Sequence, residues 1–126
     1  MRARLGRRGI DQIFLVSPTT TDARLQEAAR LGLGFLYAIS RLGVTGARDA
    51  VATTAKPLVD RIRAVTALPV ALGFGIARPE HVKQVGAFAD AAVVGSALVQ
   101  IIADAASTDA DVPEAAGRFV RWLKGQ

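Results

Sequence analysis

Short apolar runs alternate with helix-like segments along most of the chain. Four runs, rich in Val, Leu, Ile and Ala, end at a turn residue and lie near 13–16, 35–39, 69–72 and 91–94. Runs that are this short and wholly apolar are typical of strands buried on both faces of a parallel sheet. The pattern therefore predicts four parallel strands.

The segments between the runs carry apolar residues at helical spacing. Thr21 or Asp22 can cap the helix after the first run, and Pro79 marks the first turn of another. Ser96 opens a short apolar helix, and a last amphipathic helix follows a polar break. Strands that alternate with helices imply an α/β fold with right-handed crossovers. No Pro- or Ser-rich linker divides the chain, so we expect one domain over residues 1–126.

Two glycine turns follow the third and fourth runs. Gly73-Phe74-Gly75 ends the third run, and Gly95-Ser96 ends the fourth. In parallel α/β folds ligands bind at the carboxyl ends of the strands, where bare backbone N–H groups at a helix start suit a phosphate. A single glycine turn of this kind can serve only to reverse the direction of the chain. Two after adjacent strands, with the Ser96 hydroxyl at a helix start, favour a phosphate site.

Composition and charge narrow the class of protein. The chain is 51% hydrophobic and 21% charged, and no apolar run reaches the length of a membrane span. Without cysteine it has no disulfide and no thiolate metal site, which favours a cytoplasmic location. Most of the net charge of +5 comes from Arg2, Arg4, Arg7 and Arg8. No aromatic residues interleave with these arginines, so we expect a solvated terminus and no nucleic-acid partner.

The loop from Ser40 to Ala47 holds two glycines and follows the second run. Its glycines favour a closing lid, and Thr45 and the Gly46 amide offer polar contacts. An ordinary surface connection would contain the same residues. The length and composition of the loop do not decide between a lid and a surface connection.

Three motifs together resemble the tryptophan synthase alpha chain family. They are SRLGVTGA at 40–47, LPV leading to GFGI at 68–76, and VVGSA at 93–97. The similarity runs from about Ile10 to the C-terminus. It implies a TIM-type (β/α)₈ barrel, of which this chain supplies the last four units as a half-barrel. It also implies a lyase of tryptophan biosynthesis that cleaves indole-3-glycerol phosphate to indole and glyceraldehyde 3-phosphate, without a cofactor, and passes the indole to a β chain.

The resemblance assigns candidate site residues on this chain. The phosphate would be held by Gly46, Gly75, Gly95 and Ser96. The indole side of the pocket would be lined by Leu15, Tyr37 and Phe74, and the lid would include Arg41 and Thr45. Leu15 and Phe74 are equally explained as core residues, whereas a tyrosine in an apolar strand needs a partner for its hydroxyl.

No catalytic residue is assigned. The family's glutamate and aspartate belong to the early half of the barrel and have no counterpart here. Asp11 and Asp90 precede their strands, and Glu80 and Glu114 occupy first helical turns. General acid–base catalysis needs a carboxylate within reach of the substrate proton. We therefore expect negligible lyase activity from this chain alone.

Two other hypotheses stay open. The chain could be a non-catalytic phosphate-binding half-barrel that homodimerises through the exposed edges of its first and fourth strands. It could also be a gene fragment with no independent role. The single residues His81 and Trp122 are expected to be, respectively, a solvated surface residue and a packing residue of the last helix. We expect no metal site, since neither His nor Cys clusters.

Overall fold

The computed structural model describes residues 7–40, 50–73 and 75–126. In these residues the strands are Phe14–Val16 (β1), Leu36–Ile39 (β2), Val70–Gly73 (β3) and Ala91–Val93 (β4). The helices are Asp22–Leu31 (α1), Ala50–Arg63 (α2), Pro79–Gly86 (α3), Ser96–Ser107 (α4) and Val112–Lys124 (α5). Each strand end lies within one residue of the apolar run that predicts it.

The strands form one parallel sheet in the order β1-β2-β3-β4. Each neighbouring pair is consecutive in the chain and is joined through a helix, which is the repeating unit of a (β/α) barrel. The register aligns Leu15, Tyr37, Ala71 and Ala91 across the sheet. The predicted α/β class and parallel half-barrel are confirmed.

The core lies between one face of the sheet and the helices. Alternate strand residues on that face, such as Leu36, Val70 and Leu72, are almost inaccessible to solvent. They pack with Leu58 and Ile62 of α2 and with further buried residues of α1 and α3. Burial of one such side chain contributes roughly 1.5–3 kcal/mol. The helices thus cover one face of the sheet and bury its side chains.

The opposite face of the sheet is only partly covered. Leu15 on β1 is 62% exposed, and Ala91 on β4 is also exposed. Between them, Tyr37 is half-buried and Ala71 is buried. In a closed barrel this face points inward.

Cap residues define the start of α1 and both ends of α5. Thr21, one of the two predicted caps, accepts a hydrogen bond from the Arg24 amide at the start of α1. Asp111 caps α5 in the same way, and Gly125 ends that helix with a φ of 72°, a conformation that glycine adopts without strain. Among the helices of the described residues, none has the length and apolar character needed to cross a membrane.

Candidate functional site

A cleft of about 530 Å³ opens beyond the carboxyl ends of β3 and β4. It is lined by residues from β2, from the end of β4, and from the segments that follow β3 and β4. These residues are Tyr37, Gly75, Ile76, Ala77, Val93, Gly95, Ser96 and Ala97. Ligands of parallel α/β proteins bind at this end of the sheet.

The cleft brings together several residues that the sequence singles out. Gly75, Gly95 and Ser96, predicted as phosphate ligands, lie around it with Tyr37, predicted for the indole side. Leu15 does not line the cleft and is exposed at the β1 edge. The other candidates, Gly46, Phe74, Arg41 and Thr45, lie outside the described residues. All of these ligand roles stay predictions.

The wall formed by α4 offers backbone donors. Gly95 is the cap residue of α4, has no side chain, and its carbonyl accepts from the amides of Leu98 (2.9 Å) and Val99 (3.1 Å). The first N–H groups of a helix have no partner within it, so the amides of Ser96 and Ala97 are available to an anion. The Ser96 hydroxyl adds one further donor. This wall is suited to a phosphate.

The wall after β3 is held in a defined conformation. Gly75 has a φ of +74°, which a residue with a Cβ adopts only with strain. The Ile76 side chain is buried in the core. The Ala77 amide donates to Nδ1 of His81, at 3.3 Å. The segment that follows Gly75 is thus anchored to the core through Ile76 and to α3 through the Ala77–His81 bond.

Tyr37 forms the apolar side of the cleft by packing over Gly73. A Cβ placed on Gly73 would lie only 2.9 Å from the ring atoms Cε2 and Cζ, and closer still to the hydroxyl. The absence of a side chain at position 73 therefore makes room for the tyrosine ring. Since Gly73 is the first residue of the glycine turn, the ring lies beside the wall that contains Gly75.

No acidic residue is among the described residues that line this cleft. Asp90 lies directly before β4, where its carboxylate accepts from the Val70 amide (2.8 Å) and from Arg63 (3.1 Å). The hydrogen bond from the Val70 amide, helped by the Arg63 guanidinium, holds the pKa of Asp90 below its usual value. This carboxylate has a structural role, as its position before the strand indicates.

The part of the chain that the structure describes contains no group of three or more His, Asp or Glu residues able to hold a metal ion. His81, expected in solvent, is half-buried and bonded to the Ala77 amide. Sequence reasoning missed Ile76, Ala77, Val93 and Ala97 as cleft residues. The one sequence feature that indicates a place for them in the cleft is that they flank the two glycine turns.

Comparison with known proteins identifies the family. The family model described as "Tryptophan synthase alpha chain" matches residues 1–124. A tryptophan synthase alpha chain from Geotalea uraniireducens is 45% identical over 123 residues, which cover 98% of this chain and 45% of the relative. One from Phenylobacterium zucineum is 49% identical over 104 residues, which cover 82% of this chain and 38% of the relative.

Solved structures give the same result for the fold. A tryptophan synthase a2b2 complex from Pyrococcus furiosus contains a chain that matches with a TM-score of 0.84 and 35% identity, over 99% of this chain and 50% of that one. A tryptophan synthase from M. tuberculosis matches with a TM-score of 0.75 and 31% identity, over 98% of this chain and 43% of that one. The chain therefore spans about half the length of these relatives. It belongs to the tryptophan synthase alpha chain family.

Proposed function

We propose that this chain is the C-terminal, phosphate-binding half of a tryptophan synthase alpha barrel. That barrel cleaves indole-3-glycerol phosphate to indole and glyceraldehyde 3-phosphate in tryptophan biosynthesis. The supporting observation is the cleft that gathers Gly75, Gly95 and Ser96 beside Tyr37. Amide and hydroxyl donors suit the phosphate, and the tyrosine ring suits the apolar indole.

The chain's share of the reaction is binding and positioning. Cleavage of a carbon–carbon bond in this substrate needs a group that moves a proton, and the described cleft residues include no carboxylate. We propose that Gly46, Phe74, Arg41 and Thr45 complete the phosphate site, the indole wall and the lid, as in the family. We further propose a β chain as partner of the complete barrel, because the similar P. furiosus protein belongs to an a2b2 complex.

The phosphate site can be tested with two matched serine variants. Ser96→Ala removes a hydroxyl from the cleft, whereas Ser107→Ala removes one at the other end of α4, where it donates to the Asp104 carbonyl. We expect Ser96→Ala to weaken the binding of inorganic phosphate by about fivefold, the effect of one hydrogen bond. Calorimetric titration should show unchanged affinity for Ser107→Ala. Equal affinities for both variants and the unaltered chain would contradict the site.

The expected absence of lyase activity can be tested directly. The purified chain is incubated with indole-3-glycerol phosphate, and indole release is measured. We expect none above the uncatalysed rate, because the catalytic carboxylates of the family lie in the other half of the barrel. Release that depends on the concentration of this chain would contradict the proposed division of roles.

A second candidate function rests on the open face of the sheet. β1 and β4 each have one neighbour among the described strands, and Leu15 and Ala91 lie exposed beside these edges. Unpaired edges favour pairing with another chain. Two copies related by a twofold axis would place β4 of each beside β1 of the other and give the eight strands of a closed barrel.

The side chains of the open face fit such a pair. Barrel interiors are filled in layers of four side chains from alternate strands. With two copies, one layer holds Leu15 and Ala71 twice, and the next holds Tyr37 and Ala91 twice. Each layer would then combine two large and two small side chains, as close packing of a barrel interior requires. We therefore keep a homodimeric, non-catalytic phosphate-binding half-barrel as the alternative.

A further inference from the structure

His81 turns back from α3 toward the cleft. It lies in the first turn of that helix and is half-buried, and its Nδ1 accepts a hydrogen bond from the Ala77 amide at 3.3 Å. Ala77 itself lines the cleft. A residue that is not among those lining the cleft is thus bonded to one that is.

The start of α3 explains why this bond matters. Arg78 occupies the cap position and makes no side-chain cap hydrogen bond, and Pro79 has no backbone N–H. At many helix starts, the third helical residue reaches back to an amide that precedes the helix. His81 does this for Ala77. It therefore replaces the missing cap as the link between α3 and the preceding segment.

We propose that His81 is a positioning residue for the phosphate wall, acting through the Ala77 amide. The inference rests on the proposed function, because it assumes that the segment from Gly75 to Ala77 faces a phosphate. That segment is anchored by the buried Ile76 side chain and by the Ala77–His81 bond. Anchoring at both points preorganises Gly75 for binding, and a preorganised site binds its ligand more tightly.

The bond also assigns the chemistry of the segment. The Ala77 amide is the donor of this bond, and Nδ1 of the imidazole is its acceptor. The Ala77 amide is occupied by His81, so the donors left for the anion on this side of the cleft come from the glycine turn. Loss of the acceptor would free the Ala77 amide and release the segment from α3.

The test compares His81→Leu with His81→Asn in the full chain. Asn places Oδ1 where Nδ1 stands and keeps the acceptor, whereas Leu removes the acceptor and is the better helix former. We expect inorganic phosphate to bind about fivefold more weakly to His81→Leu, the effect of one hydrogen bond, and His81→Asn to restore the affinity. Amide hydrogen exchange at Ala77 should accelerate in His81→Leu and stay slow in His81→Asn.

The outcomes separate this inference from the proposed function. Equal losses of phosphate affinity in both variants, or unchanged Ala77 exchange in His81→Leu, would overturn the role of His81. An unaltered chain that binds no phosphate would contradict the proposed function instead. The exchange rate at Ala77 then still decides whether His81 holds the segment.

Discussion

Gly73 and Tyr37 form a size-matched pair in the centre of the sheet. The tyrosine ring occupies the space that a Cβ at position 73 would need. We expect Gly73→Ala to destabilise the chain by about 1–3 kcal/mol, the usual range for overpacking, and to move the ring out of the cleft. In a Tyr37→Ala background the cost of Gly73→Ala should disappear. A urea-unfolding double-mutant cycle measures this, and additive costs would contradict the pairing.

Asp90 predicts a pH dependence of stability. Its pKa is lowered in the folded chain, so its contribution is complete above the ordinary value of 3.8 and is lost as the pH falls through the lower folded-state value. Asp90→Asn, which does not titrate, should therefore be less stable than the unaltered chain at pH 7 and equally stable at the acid end.

The measurement for Asp90 is a series of urea-unfolding curves between neutral and acid pH. The expected loss at pH 7 is small, because the Arg63–Asp90 pair is nearly half exposed and is screened by solvent. Asp90→Ala also leaves the Val70 amide without its acceptor and should cost about 1 kcal/mol more. A difference between Asp90→Asn and the unaltered chain that grows toward acid pH would contradict this sign.

Sequence reasoning located some of the cleft residues and missed others for a physical reason. Gly75, Gly95 and Ser96 could be expected together because each lies within three residues of the end of a strand, and parallel strands end at one edge. The Tyr37–Gly73 and Ala77–His81 contacts depend on side-chain direction and on the exact path of a turn. Apolar periodicity carries information about neither.

At the scale of elements, Arg61 joins α2 to the loop after β1. Its guanidinium donates to the carbonyl oxygens of Pro18 (3.2 Å) and Thr20 (2.7 Å) and pairs with Asp22 (2.6 Å). Hydrogen bonds from a charged donor to a carbonyl are stronger than neutral ones. This one side chain therefore fixes the connection between β1 and α1.

Arg61→Met tests that connection while it keeps the apolar stem of the side chain. We expect it to lower the free energy of unfolding by about 1–2 kcal/mol and to speed amide exchange at Thr20, which donates to the Ser17 carbonyl. Arg24→Met, the same change at an exposed position of α1, serves as the control. Equal effects of the two variants would show that the loop does not depend on Arg61.

Elements with a sharp boundary signal were predictable to within a residue. Each of the four strands ends within one residue of the apolar run that predicts it, and α3 begins at the expected proline. The apolar face of α2, from Leu58 onward, indicated only the second half of this helix, which begins at Ala50. Trp122 shares the apolar face of α5, yet it is half-exposed and packs on Phe119, with ring centroids 5.7 Å apart. Helical spacing predicts a face but not what covers it.

At the scale of the whole molecule, the homodimer hypothesis predicts a specific loss of association. Leu15→Lys places a charge on the open face of the sheet, where the side chain is 62% exposed in a single copy. The monomer should tolerate this change, whereas a closed barrel would bury the charge. Sizing chromatography with light scattering should show a dimer for the unaltered chain and a monomer for Leu15→Lys.

Val99→Lys is the matched control. Val99 lies on α4 and is 64% exposed, so it receives the same charge at the same accessibility on another surface. It should leave the dimer intact. A monomeric unaltered chain, or equal dissociation of both variants, would rule out closure through this face.

Helices cover only one face of the sheet, so substitutions on its two faces are selected for different reasons. Residues that face the helices, such as Val70 and Leu72, are buried within a single copy, so they determine whether the half folds. Residues of the open face, such as Leu15, determine what can cover that face of the sheet. Substitutions of the first set therefore change the stability of the sheet and helices, whereas substitutions of the second set change what packs against the open face. A change of assembly partner would therefore be recorded in the sequence as substitutions on one face of the strands, beside an unaltered helix-facing set.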